Sequence, residues 1–243
     1  MSYYLSRKTH AGPAANLRRQ FEAFIRQQEF PCVGAKSALK RGQMKVIVAR
    51  DVQSAWDDLR LHEEIRRFAE EYERRPKLFS SVVIIFRRVR NLSEEAFESA
   101  LWDRLQSLHD KDSWLGYDYD QRVESDPDSP HFAFSLGGSG FFVVGLHPGA
   151  SRKARRFAHP AIVFNLHDQF ERLRASGRYQ TLRSKILQRD KAYSGSINPM
   201  LVTHGEGSAA PQYSGRKVGQ AWRCPFHPHS AETSDKPENR DAA

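Results

Sequence analysis

Apolar positions recur along this chain in two rhythms, one of period about 3.6 and one of short continuous runs. Residues 14–28 (AANLRRQFEAFIRQQ) place Leu17, Phe21, Phe24 and Ile25 on one side at helical spacing, which predicts an amphipathic helix. Pro31 and Gly34 then stand where a helix ends. Residues 45–50 (KVIVAR) read as a short buried strand. The helical rhythm returns from about 54 to 74, with Trp56, Leu59, Ile65, Phe68, Ala69 and Tyr72 as apolar positions and Pro76 as the stop. The β-branched run at 78–88 (LFSSVVIIFRR), bounded by charge, predicts a central strand. Ser93 is a good N-cap, and Glu94 and Glu95 fall in the first turn of a helix expected to reach about Leu108.

In the second half, 132–136 and 141–146 flank Gly137-Gly138-Ser139-Gly140, a strong hairpin signal. Residues 161–166 (AIVFNL) predict another strand, and 167–192 a helical stretch broken near Gly177. From Ser194 onward glycine and proline dominate, yet Met200, Leu201, Tyr213, Trp222 and Phe226 remain to anchor the chain. Helices and strands alternate early, and strands then pair directly. The expectation is an α+β (or α/β) fold: a single domain with a mixed β-sheet flanked by helices and a loop-rich C-terminal wrap. Its expected bounds are a flexible N-terminus at 1–13, the domain at 14–228 and a disordered tail at 229–243, where large apolar residues are lacking.

Of 243 residues, 39% are hydrophobic and 28% charged, which fits a globular protein with a sizeable core. Neither a run of about 20 apolar residues nor the apolar stretch of a secretory signal is seen, so no membrane association is expected. Two cysteines, Cys32 and Cys224, cannot form a disulfide framework and fit a reducing cytoplasm. The net charge of +9 favours anionic partners: nucleic acid, phosphates, carboxylates or heme propionates. The arginines are dispersed in pairs and lack the block that grips nucleic acid, and no helix-turn-helix, RRM or zinc-finger signature accompanies them.

Several partial motifs fail on spacing. Gly34-Ala35-Lys36-Ser37 lacks the glycines that let a P-loop cradle phosphate. His62-Glu63-Glu64-Ile65-Arg66 has arginine where a zincin helix needs its second histidine. Cys224, His227 and His229 offer three metal-ligand types, one fewer than a closed zinc site requires, so that segment reads as a terminal strap anchored by Trp222 and Phe226.

The most distinctive text is Phe30-Pro31-Cys32-Val33-Gly34-Ala35-Lys36, Gly145-Leu146-His147-Pro148-Gly149-Ala150-Ser151-Arg152 and Pro160-Ala161-Ile162-Val163-Phe164-Asn165-Leu166-His167, followed by Asn198-Pro199-Met200, Gln212-Tyr213-Ser214-Gly215-Arg216 and Trp222-Arg223-Cys224-Pro225-Phe226. Over about residues 15–228 this resembles the YqcI/YcgG family, with which heme-dependent guanidine and amine N-hydroxylases, the pre-guanitoxin N-hydroxylase among them, are grouped. The resemblance implies a heme b monooxygenase. It would N-hydroxylate a guanidine or amine group of a small amino-acid-like substrate, using O2 and electrons from a separate donor. A homodimer is compatible with this reading.

A b-type heme needs an axial ligand, an apolar slot and cations for its propionates. His147 ends a hydrophobic strand before Pro148 and is the expected axial ligand, although a turn histidine capping local backbone fits the same text. His167, ending its own strand, is the rival ligand or a distal catalytic group. Cys224 and Cys32 are the thiolate alternatives. Were residues 150–157 a short helix, Ser151, Arg152 and either Arg155 or Arg156 would receive a propionate, unless they form a solvated basic face. Tyr213 and Arg216 are further cofactor-binding candidates. Glu206, Asp168 and Glu171 are the candidate carboxylates for a guanidinium, with Glu206 taken as the catalytic one. The alternative function is a non-enzymatic basic protein that binds nucleic acid or phosphate ligands.

Overall fold

The computed structural model describes residues 12–201 and 205–229. Most of the expected flexible N-terminus (1–11) and of the expected tail (230–243) lies outside these. The chain runs α1 (Pro13–Arg26), α2 (Val33–Lys40), β1 (Met44–Ala49), α3 (Asp58–Arg74), β2 (Ser81–Phe86), α4 (Glu94–Trp114), β3 (Phe134–Leu136), β4 (Ser139–Leu146), β5 (Ala161–Leu166), α5 (His167–Ala175) and α6 (Tyr179–Ser194). The five strands form one sheet in the order β1-β2-β5-β4-β3. β1 and β2 are parallel, and the remaining pairs are antiparallel. The fold is therefore the expected mixed sheet flanked by helices, of α+β class.

The sheet is covered on both faces, and the pleat divides its side chains between two cores. Val82, Ile84 and Phe86 of β2 join Phe141, Val143, Ile162 and Phe164 against α3 and α4. Val83 and Ile85 face the other way, toward Phe21, Phe24 and Ile25 of α1. This two-sided burial explains why β2 reads as an unbroken apolar run. Between β3 and β4, Leu136 pairs with Ser139, leaving Gly137 and Gly138 as a two-residue turn with φ of 59° and 72°. Both positions need left-handed backbone, which glycine adopts without steric cost. Both carboxylate oxygens of Asp112 accept the Gly137 N–H, at 2.8 and 2.9 Å, and Oδ1 also accepts from His62 Nε2 at 2.6 Å. The hairpin is thus tied to α3 and α4.

Four expectations are corrected. α1 ends at Arg26, already before Pro31, and the residues after Pro31 start α2, with the Cys32 sulfur accepting the Ala35 N–H as its N-cap. Trp56 and Leu59 are exposed, because a 3-10 turn at Ala55–Asp57 precedes α3 and its buried face is Leu61, Ile65, Ala69 and Tyr72. α4 continues past Leu108, its inward face carrying the buried polar residues His109 and Asp112, which break the apolar rhythm. At 150–157 only a 3-10 turn forms, at Lys153–Arg155. The C-terminal stretch does wrap the domain, burying Tyr213 and Phe226 beside Trp102. Among the described residues, no helix is long and apolar enough to cross a membrane.

Candidate functional site

The α1 side of the sheet is not filled by side chains. Phe142, Val144 and Leu146 of β4 and Val163 of β5 form the floor of a cavity of about 390 Å³, and α6 forms its roof. α6 reaches over the floor without burying its apolar residues fully: Leu182, Ile186 and Leu187 stay half-buried because they face this space. The size and apolar lining suit a small-molecule site. Phe79, on the same wall, takes a left-handed φ of 68°, an outlier for a bulky residue. Its ring lies where a Cβ on Gly34 would touch it at 3.6 Å, an ordinary van der Waals contact.

Two kinds of metal-ligand side chain reach the wall, histidine and cysteine. His167 opens α5, with Nε2 at 3.5 Å from Glu171 Oε1, and His131 lies on the same wall. Cys32 at the N-cap of α2 is there too, and burial pushes its thiol pKa up. Two other polar groups of the wall are committed to the fold. Gln169 accepts the Ser80 N–H at 3.0 Å and donates to the Ser80 carbonyl at 2.9 Å. Asn165 accepts from Ser81 Oγ at 2.8 Å.

The pleat sends His147 away from this cavity. Leu146 faces the cavity, while His147 stacks on Phe97 of α4 with ring centroids 4.3 Å apart and planes 17° apart. Among the described residues its Nδ1 has no hydrogen-bond partner, and burial pushes its pKa down. Cys224 packs on that same α4-side core, its thiol pushed up to about 12 by burial. Neither reaches the cavity.

The other expected residues divide similarly. Arg152 lies on the wall, donating to Asp190 Oδ2 at 2.5 Å and to the Ser196 carbonyl at 2.8 Å. Ser151 does bind a carboxylate, but it is Glu94 of the protein itself, through both its N–H and Oγ. Arg156 donates to the carbonyls of Ala150 and Ser151. Tyr213 is fully buried, its hydroxyl donating to the Phe141 carbonyl at 3.1 Å. Arg216 pairs with Glu98, which also accepts from Ser214 Oγ. Glu206 is exposed. Asp168 accepts from Tyr72 and Arg172 in a separate small polar pocket, and Glu171 pairs with Arg174. Serine, tyrosine and arginines expected around a cofactor thus mostly brace the strap and the loop after β4.

Sequence reading missed the roof. Tyr179, Leu182, Arg183, Ile186, Leu187 and Asp190 all line the cavity, and their spacing is that of a single helical face. The period was present in the text, but Arg183 and Asp190 interrupt it as polar residues. Among the described residues, no group of three or more histidine, cysteine or acidic side chains is placed to hold a metal ion.

An α+β protein with a ligand-sized cavity between its sheet and a roofing helix is the class that this geometry defines. The model of the YqcI/YcgG family matches residues 21–227, and the chain belongs to that family. A search of curated proteins and of solved structures finds no match.

Proposed function

We propose that this chain is a heme-dependent N-hydroxylase that carries heme b in the cavity beneath α6 and hydroxylates a guanidine or amine nitrogen of a small amino-acid-like substrate. The observation supporting this is the donor set of the cavity: histidine and cysteine on a predominantly apolar wall that also carries arginines. The residues fit the group. Among the ligand candidates read from the sequence, His167 and Cys32 are at the cavity, and His147 and Cys224 are not. His167 is accordingly the residue that would hold the heme iron, and Cys32 the thiolate alternative.

When bound, heme supplies the activation of oxygen, which no side chain of this chain can perform. The chain's part is position, charge and dryness. Phe142, Leu146, Phe170 and Leu182 exclude water from the reacting nitrogen. Asp190 is the carboxylate on the wall, held by Arg152 and Ser194, and is the group with which a guanidinium would pair. Electrons come from a separate donor.

The test is reconstitution of the purified chain with hemin, followed by ferrous–CO spectra of the wild type, His167→Ala and Cys32→Ser. Loss of the wild-type CO band in His167→Ala alone supports histidine ligation. A thiolate-type band lost only in Cys32→Ser moves the ligand to cysteine. Incubation with arginine and other guanidines or amines, a reductant and O2 should yield a product heavier by one oxygen. Absence of any hydroxylated product across that panel overturns the activity.

A further inference from the structure

We propose that the ligand of the cavity is an apolar molecule bearing a carboxylate, and that Arg183 and Arg155 are the residues that bind the carboxylate. This rests on the cavity reading above and deepens it, since heme b is one molecule of this class.

Arg183 stands on the inward stripe of α6, between Leu182 and Ile186. Among the described residues, its guanidinium has neither a hydrogen bond nor an ion pair, although its partly buried position costs it hydration. A solvated surface arginine needs no partner, but one turned onto an apolar wall does. Arg155, on the same wall, is held differently. Its guanidinium donates to the carbonyls of Gly145 (2.9 Å), Tyr213 (3.2 Å) and Gln212 (3.0 Å). Those are dipoles, so no carboxylate contacts this charge, and burial pushes its pKa down to about 10. Its residual exposure agrees with its place on the cavity wall.

The remaining charges on the wall cancel. Asp190 is neutralised by Arg152, which it meets through one carboxylate oxygen, and Arg174 pairs with Glu171. Among the described residues, neither of the two guanidiniums contacts a carboxylate, although the charge of Asp190 reaches Arg155 through space. A cation entering first would add to an uncompensated positive field. An anion entering first completes it, and a carboxylate matches the planar fork of arginine in two parallel hydrogen bonds. The rest of the ligand must be apolar, because Phe142, Val144, Leu146 and Ile186 offer it no polar partner. A porphyrin dicarboxylate and a long-chain aliphatic carboxylate share this chemistry.

The experiment is calorimetric titration of the full chain with hemin, hemin dimethyl ester, laurate and dodecanol, repeated with Arg183→Gln. The expected result is that at least one acid binds, and that its uncharged counterpart binds roughly tenfold or more weakly. Arg183→Gln should weaken the acid by a similar factor and leave the uncharged counterpart unchanged. Arg155→Lys, which keeps the charge and loses the fork, should weaken the acid as well; its melting temperature is measured alongside, because Arg155 also ties three carbonyls. Equal binding of acid and counterpart, equal binding of the acid by wild type and Arg183→Gln, or binding of none of the four overturns the proposal. Laurate bound through its carboxylate with no hemin bound supports the proposal and removes the heme reading. Hemin and its dimethyl ester bound equally keep the heme reading and overturn this one.

Discussion

At Gly145, on β4, there is no room for a methyl group. A Cβ would stand 2.6 Å from Leu101 Cδ1 and 2.7 Å from Phe97 Cε1. Gly145→Ala should therefore cost roughly 1–3 kcal/mol from overpacking, read as a fall in melting temperature. His147, two residues on, makes a separate test. Burial holds its ring neutral in the fold, whereas in the unfolded chain it titrates near pH 6.5. The unfolded state takes up the proton first, so the stability that His147 contributes is present above about pH 6.5 and lost as pH falls below it. Replacing the ring by phenylalanine keeps the stack on Phe97 and removes the titration. The stability of His147→Phe, measured by urea unfolding between pH 7.5 and 5, should fall less steeply than that of the wild type; parallel curves would show that His147 is not the group responsible. The strand-end position of His147 was legible in the sequence, but its direction was not. Direction depends on the phase of the pleat, set by the pairing of Gly145 with Ile162 and Leu146 with Ala161, and one step of register would exchange Leu146 and His147 between the faces.

At the scale of elements, the hairpin and its tie to the helices are the most specified part of the fold. Asp112→Ala removes the acceptor of both the Gly137 N–H and His62, leaving a half-buried and a buried donor unsatisfied. It should cost about 2–4 kcal/mol and speed amide exchange in β3 and β4 before the rest of the sheet; uniform exchange across the sheet would contradict the tie. α6 is the counter-case. Its apolar residues are half-buried against an unfilled space, so it should be among the faster-exchanging helices of the free protein. A ligand in the cavity should slow its amide exchange, and unchanged exchange in α6 on saturation with a bound ligand would place that ligand elsewhere. The hairpin could be read from Gly137-Gly138 between apolar runs, because its chemistry is local. The start of α2 could not, because Pro31 signals an end to what precedes it and the cap is an unusual one, the sulfur of Cys32. The exposure of Trp56 and Leu59 was likewise hidden, since a 3-10 turn shifts the phase of the helical face before α3 begins.

For the whole molecule, the sequence carried the class of fold and the family but not the arrangement that makes the cavity. β5 inserts between β2 and β4, a pairing between segments about 80 residues apart in sequence for β2, and no local pattern encodes it. That insertion puts Val163 and His167 on the wall of the cavity. The arginine pairs that gave the chain its basic character are also resolved only in three dimensions. Arg66 and Arg67 meet Glu63 and Glu70, Arg156 meets carbonyls, and only a few guanidiniums face the cavity. The cavity is proposed to carry heme. The most direct measurement is the absorption spectrum of the protein purified from heme-supplemented cells and then titrated with hemin. A saturable, stoichiometric Soret band that is weakened or shifted by His167→Ala and unaffected by His147→Phe is the expected result. No Soret band after hemin titration, or a band that responds to His147→Phe and ignores His167→Ala, would contradict it.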